Sequence, residues 1–173
     1  MDRPDMVIHV EEGAQPKKIY GARKVPLHWE QEAKDLIAQL VREGIIEPVT
    51  DDNCDWISPA FFVPKSNGKI SMVTDFTYLN KHIKGPVNPF PSASEIMQKN
   101  TSIHKFSFAK LNVQGYQQVE LSQESRHYTM FLLPCGKFRY RRGQMGLKST
   151  SDIFCARSDR VIHNVSDTQK IFI

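Results

Sequence analysis

No stretch of the 173-residue chain approaches the roughly eighteen consecutive apolar residues that a membrane-spanning helix requires. The opening residues, MDRPDMVIHVEEG, contain no apolar signal region, so the expectation is a protein that is not secreted. Cysteine is scarce. Cys54, Cys135 and Cys155 are odd in number and lack metal-ligand spacing, and they read as reduced thiols of an intracellular protein, cytoplasmic or nuclear. A tract of like charge is also missing. A net charge of +4 and a pI near 9.0 permit contact with nucleic acid without requiring it. What remains is ordinary for a water-facing globular chain: 40% hydrophobic and 24% charged residues, in a length that suits one domain or part of a larger one.

Residues 1–27 scatter Pro4, Gly13, Pro16, Gly21 and Pro26 among charges, which predicts an extended, partly disordered arm. Arg23 and Lys24 suit either a solvated linker or a phosphate contact. From His28 to Glu43 the period changes. Trp29, Ala33, Leu36, Ile37, Leu40 and Val41 repeat at three- and four-residue spacing and predict an amphipathic helix that packs through Trp29, Leu36 and Leu40. Gly44 is placed to end it in a left-handed conformation. Ala60–Val63 and Ile70–Thr74 read as strands joined through Asn67-Gly68, a hairpin pair. Lys84–Pro91 reads as loop, and Ser92–Lys99 as a short helix with Ser92 and Glu95 at capping-box spacing.

The alternation from Phe106 to Val113 predicts a strand, with Asn112 near its end and Gly115 breaking it. Polar side chains at such strand ends often carry chemistry. Here that side chain is a neutral amide. Arg126–Leu133 and Lys137–Arg142, around Pro134-Cys135-Gly136, read as a second hairpin in which Phe138 and Tyr140 alternate with Lys137, Arg139 and Arg141. The basic face suits a nucleic-acid backbone, and equally a strand with one solvated side. A helix is expected near Ser151–Asn164.

Lys110-Leu111-Asn112-Val113-Gln114-Gly115-Tyr116-Gln117-Gln118-Val119 resembles the first catalytic motif of reverse transcriptases from gypsy-type LTR retrotransposons. Trp56, Ser58, Pro59, Val63, Pro64, Lys65, Gly68, Lys69, Val73, Asp75, Leu79, Asn80 and Lys81 resemble the fingers hairpin of the same family. Gly146, Leu147, Ser149 and Phe154 resemble a later motif, with Gln144 in place of its proline. The resemblance implies an α+β fold, an incomplete fingers and palm of the right-hand polymerase type over residues 28–165. Residues 1–27 would be an arm and 166–173 a truncated tail. It also implies vestigial nucleotide-binding roles for Lys65, Lys69, Asp75, Tyr116 and Gln144, and backbone contacts for Lys137, Arg139 and Arg141. The implied partner is a primer–template of RNA or DNA, bound weakly, with no membrane.

The departures fall on the chemistry. Asn112 stands where the family has the first metal-binding aspartate, and one residue is missing before Gly115. Ser71 and Thr77 replace two arginines, and no x-Asp-Asp motif occurs before Ile173; Asp51-Asp52 lies in the fingers region. Two magnesium ions need several carboxylates, because each prefers hard anionic oxygen ligands in octahedral geometry. The family uses magnesium, and for this chain no metal is expected. The reading is a retrotransposon-derived domain without catalytic activity. The alternatives are a domesticated nucleic-acid- or protein-binding module and, ranked last, an enzyme completed by a second chain.

Overall fold

The structure, a computed structural model, describes residues 4–50, 55–85 and 115–162, the side chains of residues 155 and 158–162 excepted. The architecture is α+β: a five-stranded sheet, a two-stranded sheet and helices laid against them. Three predicted features lie outside the described residues: the strand ending near Asn112, the helix of residues 92–99, and the tail of residues 166–173.

Helix α1 spans Glu30–Arg42, preceded by a 3-10 turn at Leu27–Trp29. Pro26 accounts for the later start. Its carbonyl accepts from Trp29 N–H at 2.9 Å, tightening the first turn before the α-helix begins. Ala33 and Ile37 are buried, and Leu36 and Leu40 are half-buried against the core. Trp29 is half-buried with its ring 5.1 Å from His28, and Val41 faces solvent, so the buried stripe is narrower than the six-residue pattern suggests. Gly44, at φ +65°, ends the helix as a left-handed cap. Gly44 N–H reaches Val41 O and Ile45 N–H reaches Leu40 O, both at 3.0 Å, the paired bonds of a Schellman motif.

That stop turns the chain into β2 (Ile46–Pro48). The hairpin of β3 (Ser58–Pro64) and β4 (Ile70–Thr74) follows, with Gly68 at φ +79° in its turn and Asn67 Oδ1 accepting from Lys69 N–H. Helix α2 covers Thr77–His82 and runs into β5 (Ile83–Lys84). β6 (Met130–Leu133) and β7 (Gly136–Tyr140) form the second hairpin. The sheet order is β2-β7-β6-β3-β4, antiparallel throughout except for the parallel pairing of β3 with β6.

The first arm of this second hairpin is shorter than its alternation suggests, because Gln123–Thr129 forms a 3-10 helix. Side chains compete there for the backbone. Thr129 Oγ1 donates to Arg126 O at 2.8 Å and accepts from Tyr140 N–H at 3.1 Å. The final helix, α3, spans Lys148–Ile162 and starts three residues before the predicted Ser151.

The core lies on the sheet face that carries Ile46, Ala60, Met72, Phe131, Phe138 and Tyr140. Residues 4–27 do not stand free of it. Met6 and Ile8 are buried, at 1% and 4% exposure. The arm is tied by Met6 N–H to Glu120 O, Ile8 N–H to Ser125 Oγ, β1 (His9–Val10) paired with β5, and Ile57 N–H to Lys17 O. Burying two such side chains contributes about 1.5–3 kcal/mol each, which explains why this Pro- and Gly-containing arm is held in place.

Candidate functional site

A cavity of about 550 Å³ opens between α1 and the β3–β4 hairpin. Lys65 and Lys69 reach it from the two sides of the hairpin turn, where Lys65 N–H bonds Lys69 O at 2.7 Å. Gln144 and Gln117 reach it from segments far along the chain, and Tyr140 and Met72 form its floor. Ser71 lines it too, at the position where the resemblance implies an arginine.

Three of the five nucleotide-site candidates therefore meet here, and two do not. Asp75 sits outside the cavity and caps α2, its Oδ1 accepting from Thr77 N–H at 2.9 Å. The Thr77 hydroxyl and N–H hold this carboxyl below the usual carboxylate range, with Arg23 and Lys17 adding to the effect. Tyr116 also lies outside the lining, its ring edge-on to Phe154 at 5.4 Å. It belongs to a 3-10 turn, Gly115–Gln118, held by Arg142 Nη1 donating to Gln117 O at 3.1 Å.

The cavity wall contributed by α1 was not singled out from the sequence. Glu32, Asp35 and Glu43 line it beside Arg42, so the acids balance Lys65, Lys69 and Arg42 in number. Their signal was the polar stripe at Glu32, Asp35, Gln39 and Arg42, with the spacing of one helix face. Glu32 also protects the sheet, since its Oε1 accepts from Ile70 N–H at 2.9 Å and covers the edge of β4. Gln117 Oε1 is buried with no hydrogen-bond partner among the described residues. Such an atom favours a donor entering the cavity.

Asn80 sets the loop that carries Gln144. Its Nδ2 donates to Gly146 O at 2.7 Å, and its Oδ1 accepts from Lys148 N–H at 2.9 Å. The second bond satisfies the first N–H of α3 and explains why that helix begins at Lys148. Gly143, just before Gln144, has room for no side chain: a Cβ there would lie 2.7 Å from Tyr116 O.

Arg139 and Arg141 are elsewhere. On β7 the buried Phe138 and Tyr140 point into the core and Tyr140 floors the cavity, so Lys137 and Arg139 occupy the other face of the sheet. Arg141 follows the same side, and both arginines bind Glu47 of β2.

Among the described residues, no group of three His, Cys, Asp or Glu comes together in a way that holds a metal ion. Asn112, which the resemblance sets at the family's first metal position, lies outside the described residues. No described helix is long and apolar enough to cross a membrane.

The fold is that of reverse transcriptases. It is similar to the native prototype foamy virus protease-reverse transcriptase, with a TM-score of 0.75 at 18% identity over 98% of this chain and 22% of that one. It is equally similar to the foamy viral protease-reverse transcriptase in complex with an RNA/DNA hybrid, with a TM-score of 0.74 at 15% identity over 96% and 22%. No family model matches the chain. Its relatives in sequence are polyproteins of viruses and retroelements. A polyprotein of Cassava vein mosaic virus is 28% identical, over 91% of this chain and 24% of its own length. The Tf2-3 transposon polyprotein of Schizosaccharomyces pombe is 26% identical, over 82% and 12%. The retrovirus-related Pol polyprotein from transposon 412 of Drosophila melanogaster is 28% identical, over 72% and 10%. The chain thus spans about a quarter or less of the curated relatives it matches.

Proposed function

We propose that these residues form the fingers and part of the palm of a gypsy-type reverse transcriptase, a domain that contacts nucleotide and primer–template but does not transfer phosphoryl groups. The observation that carries this reading is the convergence of Lys65, Lys69 and Gln144 on one cavity from segments more than seventy residues apart in sequence. Two ammonium groups and an amide suit a polyphosphate tail. The acidic wall from α1 opposes that charge, so binding is weak. Asn112 and Ser71 support the second half of the reading, because each replaces a charged family residue with a neutral one.

The test is binding of a fluorescent nucleoside triphosphate without metal. Lys65→Gln/Lys69→Gln is expected to lower affinity about tenfold or more, a loss of about 1.4 kcal/mol. Unchanged affinity in the double variant would remove the nucleotide role from the cavity.

A further inference from the structure

Between Glu12 and Glu30 the chain carries no carboxylate, while Lys17, Lys18, Arg23 and Lys24 all fall within that stretch. Among the described residues none of the four has an ion-pair partner, and three sit over aromatic rings instead. Lys17 Nζ lies 5.1 Å from the centre of Tyr78, Lys18 Nζ 6.0 Å from Tyr20, and the Arg23 guanidinium 4.7 Å from Phe61. Asp75 feels Arg23 and Lys17, but its Oδ1 is already held by Thr77 N–H. The stretch is fixed to the body of the molecule. Ile57 N–H donates to Lys17 O at 3.0 Å and Ile19 N–H to Ile57 O at 3.3 Å, while Ile19 packs against Ile57 and Met130. This bridge turns Lys17 O and Ile19 N–H toward Ile57, so the N–H and carbonyl of Lys18 point to the opposite edge. Among the described residues neither has a hydrogen-bond partner. Tyr20 and Leu27, at 88% and 85% exposure, are the most exposed large apolar side chains among those residues.

We infer that residues 17–27 dock an extended acidic segment of a partner protein, one with large apolar side chains between its carboxylates. A strand added alongside Lys18 supplies partners for its N–H and carbonyl. The carboxylates meet Lys18, Arg23 and Lys24, and the apolar side chains cover Tyr20 and Leu27. Charge complementarity selects this occupant, because four cations without an acid among them favour an acidic partner and disfavour a basic one. A peptide also fits the strip better than a nucleic acid does. A phosphodiester chain has no N–H for the Lys18 carbonyl, and bases do not stack on an aliphatic side chain such as Leu27. None of these residues lines the cavity, so the inference does not rest on the nucleotide reading.

The experiment uses the whole chain and a short fluorescein-labelled peptide that alternates glutamate with valine and leucine. Thermal melts run in parallel to show that each variant folds. Saturable binding that weakens with added salt is expected. A glutamine counterpart of the peptide, and one N-methylated along its backbone, should each bind tenfold or more weakly. Lys18→Gln/Lys24→Gln and Tyr20→Ser/Leu27→Ser should each lower affinity for the acidic peptide tenfold or more, while Lys65→Gln/Lys69→Gln leaves it unchanged. No saturable binding at millimolar peptide, or equal binding of either control peptide, would overturn the inference. Loss in the Lys65/Lys69 variant alone would seat the peptide in the cavity, with the same consequence. Tighter binding of a single-stranded oligonucleotide, lost in the residue 18 and 24 variant, would assign the strip to nucleic acid and overturn it too. Sedimentation showing dimers that the same variants abolish would give the strip to a second copy of the chain, again against the inference.

Discussion

Tyr140 shows how one residue joins two jobs. Its ring is fully buried beside Phe76 and Phe131, it floors the cavity, and its hydroxyl shares a 2.9 Å hydrogen bond with Thr74 Oγ1. Burial pushes the phenol well above its ordinary value, because the charged form would lose its hydration. The sign of the linkage follows: the denatured chain releases this proton near pH 10 while the native chain keeps it. Stability is therefore complete below about pH 10 and falls as pH rises beyond it, by up to about 1.4 kcal/mol per pH unit. Tyr140→Phe should cost about 1–3 kcal/mol at neutral pH by stranding the Thr74 hydroxyl, and should lose this part of the alkaline slope. Urea melts of both proteins at pH 8 and above pH 10 check it; identical slopes would contradict the assignment. The inward set of Phe138 and Tyr140 was legible from period-two alternation alone. That Asp75 would cap α2 was not, because a carboxylate matching a family motif and a carboxylate matching a cap look alike in one sequence.

At the scale of elements, legibility followed the range of the interactions. The α1 periodicity, its Gly44 stop and the Asn67-Gly68 turn depend on neighbours a few residues away, and they could be read directly. The arm could not, because its partners are distant: Met6 meets Glu120 and Leu121, and His9 pairs with Lys84. The start of α3 likewise depends on Asn80, sixty-eight residues earlier. Asn80→Ala should therefore expose the Lys148 amide to hydrogen exchange and lower stability by about 1–3 kcal/mol, leaving Gly146 O and Lys148 N–H without their partner. Asn80→Asp keeps an acceptor for Lys148 and loses the donor to Gly146, so protection at Lys148 should largely survive. Equal loss of protection in both variants would show that the clamp does not act through the Lys148 bond.

Across the whole molecule, the fold is one matter and the proposed loss of the family's reaction another. The reverse-transcriptase fold is present, with Lys65 and Lys69 on the cavity side of the sheet and Lys137, Arg139 and Arg141 on the other. The sequence showed which residues carry charge, but it could not show that Lys65 and Arg139 lie on opposite faces, since that depends on strand register. Polymerase chemistry needs more than the fold. Asn112 supplies no charge to a divalent ion at the position where the resemblance sets the first aspartate, and the proposed loss of activity rests on that. Restoring a single carboxylate does not seat two magnesium ions. The most direct measurement is primer extension by these 173 residues and by Asn112→Asp, with magnesium, a primed template and nucleotides. Both are expected to extend no primer, while magnesium-dependent extension above a contaminating-polymerase control by either chain would contradict the account.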